Sequence, residues 1–114
     1  MGHGLELRAA GFGLEEKGQM ERLKERFDEV VAKIRALPAS GPAQLSNDLK
    51  LKLYGLFRQA RDSDAEGERP GLFDLVGRLK YDAWASNRGV NADEAMRRYI
   101  AEVEAFAREH GVEL

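Results

Sequence analysis

Residues 46–61 of the chain read SNDLKLKLYGLFRQAR and have the apolar spacing of a helix. Their apolar positions recur at steps of three and four residues: Leu49, Leu53, Leu56 and Ala60. Because an α-helix turns by about 100° per residue, this spacing places the four side chains on one face. Ser46 or Asn47 precedes the first of them and can cap the helix. The segment therefore predicts an amphipathic helix with one face in a core.

Three other segments have the same periodicity. The first carries Met20, Leu23, Phe27, Val30, Val31, Ile34 and Leu37. The third carries Phe73, Val76, Leu79, Ala83 and Trp84, and the fourth carries Ala92, Ala95, Met96, Tyr99, Val103 and Phe106. Pro38, the turn at residues 68–71 and Gly89 separate the segments. No run alternates with period two, so four amphipathic helices joined by loops predict an all-α bundle.

Length and composition narrow the functional classes. The 114 residues suit one domain, and the apolar runs are too short for a helix that spans a bilayer. The chain has no cysteine, which excludes disulfides and thiolate chemistry and favours a cytoplasmic location. His3 and His110 lie at opposite ends, so the sequence predicts neither a metal site nor a histidine-based catalytic triad.

Residues 1–19 differ from the rest of the chain. They contain five glycines and no sustained apolar period. We therefore expect a flexible or weakly ordered N-terminal extension at 1–19 and a four-helix domain at 20–114. A short docked helix around Leu14 is the alternative.

Charge is distributed unevenly along a chain whose net charge is −2. Six cations and one acid, Asp48, lie between Lys33 and Arg61, and an acidic stretch follows at residues 62–68. A nucleic-acid-binding protein is expected to have a broader basic excess. The local basic stripe fits a small polyanionic ligand better, with a solvated helix face as the alternative.

A second face of the 46–61 helix combines cations with an aromatic hydroxyl. Its members are Lys50, Tyr54, Arg58 and Arg61, with Phe57 between this face and the core face. A phosphate group needs positive charge for neutralisation and a hydroxyl that orients one oxygen. The spacing is equally compatible with a half-buried tyrosine flanked by cations that extend into solvent.

Four short segments carry a family resemblance. They read YGLFRQA at 54–60, ERPG at 68–71, GRLKYDAW at 77–84 and DEAMRRYI at 93–100. In order and separation they are similar to the Tyr-x-x-Tyr-Lys-Gln-Ala, Arg-Pro-Gly, Gly-Lys-x-Lys-Trp-Asp-Ala-Trp and Asp-Ala-Met-x-x-Tyr-Ile motifs of acyl-CoA-binding proteins. The loop at 41–47 also resembles a longer version of that family's first loop, and the resemblance extends over residues 27–111.

The resemblance implies an up-down-down-up four-helix bundle that binds fatty acyl-CoA esters of medium to long chain without changing them. It implies transport and buffering by a cytoplasmic monomer with no cofactor, and transient contact with enzymes that use acyl-CoA. In the family, the CoA head is held through its 3′-phosphate and adenine, and the acyl chain lies in a groove across the bundle.

Site residues are carried over position by position. Tyr54 corresponds to the tyrosine whose hydroxyl meets the nucleotide phosphate. Arg58 and Lys80 correspond to the two phosphate-pairing lysines, and Tyr99 to the tyrosine near the adenine. Arg35 falls where the family often has a lysine close to the ligand.

The chain departs from the family pattern at three positions. Phe57 replaces the second tyrosine of the signature, which removes a hydrogen bond but leaves an aromatic ring. Arg58 replaces lysine with a planar group that has two donating nitrogens. Val76 occupies a position where many members have a further lysine. Leu51, beside the cationic face, is a candidate groove residue, with a peripheral core position as the alternative.

The predicted function is therefore non-enzymatic binding of acyl-CoA, without nucleic acid, metal or membrane insertion. A protein-interaction module that uses the basic face is the alternative. A hydrolase is disfavoured, because the serines have no histidine nearby in the sequence.

Overall fold

The computed structural model describes residues 2–38, 40–41 and 43–114, with side chains from residue 17 onward. The chain forms four helices, α1 at Gly2–Arg35, α2 at Asn47–Asp62, α3 at Leu75–Ala85 and α4 at Ala92–His110. No strand occurs in these ranges, and the prediction of an all-α four-helix bundle is confirmed. Within the same ranges, no helix is long and apolar enough to cross a membrane.

The first helix includes most of the segment that the sequence assigns to an N-terminal extension. Helical backbone begins at Gly2 and continues to Arg35. Among the α1 side chains that the structure describes, from Lys17 onward, the buried ones begin at Phe27, whereas Met20, which the periodicity assigns to the core face, is exposed. The division of the chain between residues 19 and 20 stays a prediction.

The core lies where α4 packs against both α1 and α2. Its buried side chains come from these three helices: Phe27, Val30, Val31, Leu53, Leu56, Tyr99 and Val103. Their positions match the predicted apolar faces of the first, second and fourth helices. Because α4 contacts both neighbours, it fixes the separation between α1 and α2.

Capping side chains define the helix starts. Ser46 accepts a hydrogen bond from the Leu49 N–H at α2, and Asn91 accepts one from the Glu94 N–H at α4. Asp74, which the sequence reading did not single out, does the same for α3 through the Gly77 N–H. Gly89, predicted as the residue that ends the third helix, has a φ of +85° but lies four residues beyond Ala85.

Helix α3 departs from the prediction of a buried apolar stripe. Phe73 precedes the helix and is fully exposed, and Val76 and Leu79 are mostly exposed. Only Trp84 is buried among the residues of α3. The reason is that α3 packs against α2 alone, so one narrow face is covered.

The contact between α2 and α3 is close. A Cβ atom built on Gly55 would lie 2.3 Å from the Ala83 carbonyl oxygen, so glycine is required for this approach. By contrast, no Cα atom of α1 comes within 8 Å of one in α2 in the described part of the chain. The bundle is therefore tight on one side of α2 and open on the other.

Candidate functional site

The opening between α1 and α2 forms a groove of about 630 Å³, called here the α1–α2 groove. Its lining comes from both helices and from one residue of α4: Lys24, Phe27, Asp28, Val31, Ala32, Arg35, Phe57, Ala60, Arg61 and Met96. Most of these side chains are apolar, and charged groups occur among them. A trough with this lining can hold an apolar chain whose polar end lies near the cations.

A smaller hollow of about 210 Å³, called here the Tyr54 pocket, adjoins the groove. It is lined by Ile34, Arg35, Leu45, Lys50, Leu53, Tyr54, Phe57 and Tyr99. Arg35 and Phe57 line both cavities. The two cavities therefore share a boundary, and one elongated ligand can occupy both.

Phe57 organises this boundary. Its ring centroid lies 6.1 Å from that of Phe27, which spans the gap between α2 and α1. The guanidinium carbon of Arg35 lies 4.9 Å from the Phe57 centroid, and that of Arg61 lies 5.0 Å from it. An aromatic face attracts cations at these distances. The ring thus holds two positive charges beside the apolar groove without a hydroxyl of its own.

The structure brings Tyr54, Arg58 and Lys80 together from α2 and α3; we call this set the Arg58–Lys80 cluster. Arg58 Nη1 donates to the Tyr54 hydroxyl at 3.4 Å, and Lys80 Nζ lies 5.5 Å from the centroid of the Tyr54 ring. The guanidinium carbon of Arg58 also lies 4.2 Å from the Trp84 ring centroid. Two cations therefore lie beside one tyrosine, a combination of charge and hydroxyl that suits a phosphate ligand.

Asp62 supplies an anionic partner that the sequence reading placed only in an acidic stretch. Arg61 donates to both of its carboxylate oxygens, at 3.1 and 2.9 Å. Arg58 Nε lies 2.8 Å from Oδ2 of Asp62, but outside hydrogen-bonding geometry. The hydrogen bond from Arg61 is the main cause that lowers the pKa of the Asp62 carboxyl, which therefore stays ionised. The spacing of four residues between Arg58 and Asp62 is a sequence signal that could have indicated the pair.

Tyr99 is placed in the core wall of the Tyr54 pocket. The residue is 4% exposed, and its ring meets that of Phe27 edge-to-face at 5.2 Å. Burial raises the pKa of the Tyr99 hydroxyl above its usual value, an effect that the Arg35 guanidinium partly opposes. The hydroxyl is therefore neutral and can act as both donor and acceptor.

Leu51 is the one predicted site residue that does not join the others. It is half-buried on α2 and does not belong to the described lining of either cavity. Its assignment to the groove stays a prediction. For metals, the described residues contain no group of three or more histidine, cysteine or acidic side chains that could hold an ion.

Comparison with known proteins identifies the family of the chain. The family model described as "Acyl CoA binding protein" matches residues 24–103. Acyl-CoA-binding protein homolog 3 of Caenorhabditis elegans is 47% identical over 78 residues, which are 68% of this chain and 67% of that protein. The acyl-CoA-binding protein homolog of Manduca sexta is 42% identical over 92 residues, which are 80% of this chain and 98% of that protein.

A solved structure shows the same arrangement of helices. The crystal structure of Oryza sativa acyl-CoA-binding protein 2 superposes with a TM-score of 0.72 at 39% identity, over 82% of this chain and 97% of that one. The fold is therefore the four-helix bundle of these proteins. The chain belongs to the acyl-CoA-binding protein family, and this membership implies that it binds acyl-CoA.

Proposed function

We propose that the protein binds medium- to long-chain fatty acyl-CoA esters without chemical change, and so buffers and transports them as a cytoplasmic monomer. In this proposal it delivers the ligand to acyl-CoA-using enzymes through transient contacts. The observation that carries the proposal is the shared boundary of the two cavities at Arg35 and Phe57. An amphiphile with a charged head and an apolar tail requires two such cavities side by side.

The acyl chain is assigned to the α1–α2 groove. Phe27, Val31 and Ala60 provide apolar surface there, and the groove opens to solvent between helices whose backbones do not touch. Each methylene group removed from water contributes about 0.8 kcal/mol, so a long chain supplies a large part of the affinity. This argument supports preference for longer chains over short ones.

The CoA phosphate is assigned to the Arg58–Lys80 cluster. Tyr54 offers a hydroxyl, and Arg58 and Lys80 offer positive charge within reach of the same tyrosine ring. Charge-assisted hydrogen bonds to phosphate are stronger than neutral ones. These contacts would select the CoA ester over the free fatty acid, which has no phosphate.

The adenine end is assigned to the Tyr54 pocket, where Tyr99 and Phe57 supply aromatic surface and Arg35 a cation. Phe57 cannot donate a hydrogen bond, so its proposed role is to pack against the ligand and to position the two guanidinium groups. Arg58 keeps the charge of the family's lysine at this position.

Contacts of the serine and histidine side chains support a binder rather than a hydrolase. The Ser46 hydroxyl caps α2, and the Ser86 hydroxyl donates to the Ala83 carbonyl oxygen. His110 Nδ1 lies 3.0 Å from the Phe106 carbonyl oxygen at the end of α4. In the described part of the chain, no hydrogen bond joins a serine to a histidine, as activation of a nucleophile would require.

Calorimetric titration tests the proposal. A long-chain acyl-CoA is compared with its free fatty acid, for the parent protein and for the Arg58→Ala/Lys80→Ala variant. We expect stoichiometric binding of the ester, much weaker binding of the acid, and a loss of about a hundredfold in affinity for the variant. The Lys17→Ala/Arg97→Ala variant removes the same charge outside both cavities and is expected to bind like the parent.

Three results would contradict the proposal in different ways. Equal binding by a folded Arg58→Ala/Lys80→Ala variant would show that the site assignment is wrong. Release of free thiol during the titration would indicate a hydrolase. Absence of binding would favour a module that docks an acidic protein through the basic face.

A further inference from the structure

Two arginines lie over one aromatic ring at the boundary that the α1–α2 groove shares with the Tyr54 pocket. The guanidinium carbons of Arg35 and Arg61 are 4.9 and 5.0 Å from the centroid of the Phe57 ring. Arg35 lies in the last turn of α1 and Arg61 in the last turn of α2. We call these two residues the Arg35–Arg61 pair. Each of the two helices that form the groove therefore places one cation beside the same ring.

The family motifs assign no role to Arg61. This residue directly follows the YGLFRQA segment at 54–60, and the sequence reading placed it on the cationic face of α2 without including it among the site residues. In the structure, Arg61 lines the α1–α2 groove, and its side chain is 54% exposed. Its guanidinium is therefore accessible to a ligand in the groove.

Positive charge predominates around the Arg35–Arg61 pair. The charged side chains that line the two cavities are four cations and one acid: Lys24, Arg35, Lys50, Arg61 and Asp28. Asp62 lies outside both described linings but pairs with Arg61, so the cations still outnumber the acids by four to two. In the described part of the chain, Arg35 has no carboxylate within salt-bridge distance. An anionic group is therefore attracted to this boundary.

Arg61 also keeps a donor for such a group. Its Nε and Nη2 donate to the Asp62 carboxylate, whereas Nη1 donates no hydrogen bond to any residue that the structure describes. A guanidinium carries five N–H groups in one plane, so it can donate to a carboxylate and to a phosphate at the same time. The pairing with Asp62 therefore leaves part of Arg61 available to a ligand.

The covalent structure of CoA indicates which anion reaches this boundary. CoA carries a 3′-phosphate on its ribose and a diphosphate that joins the adenosine to the pantetheine arm. In the proposed function, the adenine lies in the Tyr54 pocket and the acyl chain in the α1–α2 groove. The diphosphate connects these two parts of the ligand, so it must cross the boundary at Arg35 and Phe57.

We propose that the Arg35–Arg61 pair binds the diphosphate of CoA, which makes Arg61 a binding residue in addition to those that the family motifs supply. The Phe57 ring keeps both guanidinium groups at the boundary through cation–π contacts. The Arg58–Lys80 cluster then receives the 3′-phosphate. This inference rests on the proposed function, because it takes acyl-CoA as the ligand.

Calorimetric titration with two ligands tests the proposal. One ligand is a long-chain acyl-CoA, and the other is its 3′-dephospho ester, which keeps the diphosphate. Arg61→Gln should weaken the binding of both esters about tenfold, because both carry the diphosphate. By contrast, Arg58→Ala/Lys80→Ala should weaken the binding of acyl-CoA and change that of the dephospho ester little. The two phosphate assignments are thereby tested separately.

A control is needed for Asp62, because Arg61→Gln leaves this carboxylate without one of its two partners. The Arg61→Gln/Asp62→Asn variant removes both charges and has the net charge of the parent. We expect it to bind acyl-CoA about tenfold more weakly than Asp62→Asn does. Arg97→Gln removes an exposed cation outside both cavities and should bind like the parent. Circular dichroism should show the helicity of the parent in all four proteins.

The possible results separate this proposal from the proposed function. The diphosphate site is overturned if folded Arg61→Gln/Asp62→Asn binds acyl-CoA as tightly as Asp62→Asn. It is also overturned if Arg61→Gln weakens acyl-CoA alone, since Arg61 would then contact the 3′-phosphate. In both cases the parent still binds acyl-CoA, and the proposed function stands. If the parent does not bind acyl-CoA, the proposed function is wrong and the diphosphate site with it.

Discussion

Helix α2 meets α3 and α1 in opposite ways. Toward α3, the Gly55 backbone approaches the Ala83 carbonyl so closely that a single added carbon would collide with it. Toward α1, the backbones stay apart, and the contact across the gap is made by the rings of Phe27 and Phe57. The same helix therefore serves as a tightly packed scaffold on one side and as the wall of a groove on the other.

The difference shows how this fold combines stability with an open site. Polar contacts reinforce the tight side, where the buried Gln59 amide donates to the Val90 carbonyl oxygen and to Asp64, both at 2.8 Å. On the open side, α4 keeps α1 and α2 apart through contacts with both. Apolar surface is left in the groove, and a ligand chain can cover it.

The largest effect is expected for Gly55→Ala on the tight side. The added Cβ would lie 2.3 Å from the Ala83 carbonyl oxygen, so α2 and α3 must separate. We expect the free energy of unfolding to fall by about 2 kcal/mol, even though alanine favours helix more than glycine does. Urea unfolding measures this change. Gly71→Ala, where the new Cβ meets nothing within 4 Å, is the control and should change stability little.

On the open side, Ala32→Phe should affect binding rather than stability. Ala32 is exposed and lines the α1–α2 groove, so a phenyl ring there occupies space proposed for the acyl chain. We expect about tenfold weaker binding of long-chain acyl-CoA and unchanged binding of CoA itself. Ala101→Phe, an exposed position on α4 away from the groove, is the matched control. Equal losses for CoA and its ester would contradict the assignment of the chain to the groove.

Asp62→Asn is expected to increase the affinity for acyl-CoA, by a smaller factor than Ala32→Phe decreases it. The Asp62 carboxylate lies against Arg58 and Arg61, so it would compete with the proposed ligand phosphate for their charge. Its removal should raise acyl-CoA affinity about threefold, the scale of an exposed ion pair. Titration at matched ionic strength measures this, with Asp93→Asn as a control of equal net charge. Weaker binding by Asp62→Asn would mean that the carboxylate holds Arg58 in its binding orientation.

The smallest effect is expected for Asp64→Asn on the tight side of α2, in the pH dependence of the free energy of unfolding. The Gly89 N–H and then the Gln59 amide lower the pKa of the Asp64 carboxyl. The pKa of Asp64 is therefore lower in the folded state than in the unfolded state, where it is about 3.9. Above pH 3.9, the ionised carboxylate stabilises the folded protein. This contribution is lost as the pH falls through the folded-state pKa. The stability difference between parent and Asp64→Asn should therefore narrow from about pH 6 to about pH 3. Urea unfolding at both pH values checks this, and a constant difference would contradict it.

Periodicity was sufficient to predict that four helices occur, because this signal is local, although it indicated neither the start of α1 at Gly2 nor the Asp74 cap of α3. Whether another helix covers a given helix face depends on residues far away in the sequence. Phe73 and Leu79 have the spacing of core residues, yet α3 packs against α2 alone, and the rest of its apolar surface is exposed. Met20 is exposed although it continues the stripe of Phe27. The sequence pattern therefore indicates which faces are apolar, but not which of them are buried.

The proximity of the candidate site residues could be predicted as far as it depends on backbone spacing and motif order. Tyr54 and Arg58 are four residues apart on one helix, and the family motifs add Lys80 from another. Spacing does not fix side-chain conformations. It therefore could not predict that Arg61 lies over the Phe57 ring, or that Asp62 contacts both Arg58 and Arg61. Leu51 shows the converse, since it lies beside the cationic face in sequence and outside both described cavities in space.

The stacking of Arg58 on Trp84 has a practical consequence for spectroscopy. Trp84 is the single tryptophan of the chain, and its indole N–H donates to the Ser63 carbonyl oxygen at 2.7 Å while the guanidinium lies over its ring. The chain thus carries one tryptophan fluorophore, located beside the Arg58–Lys80 cluster. If a phosphate draws Arg58 away from the ring, indole emission changes, so an unlabelled sample can report occupancy of the Arg58–Lys80 cluster separately from that of the groove.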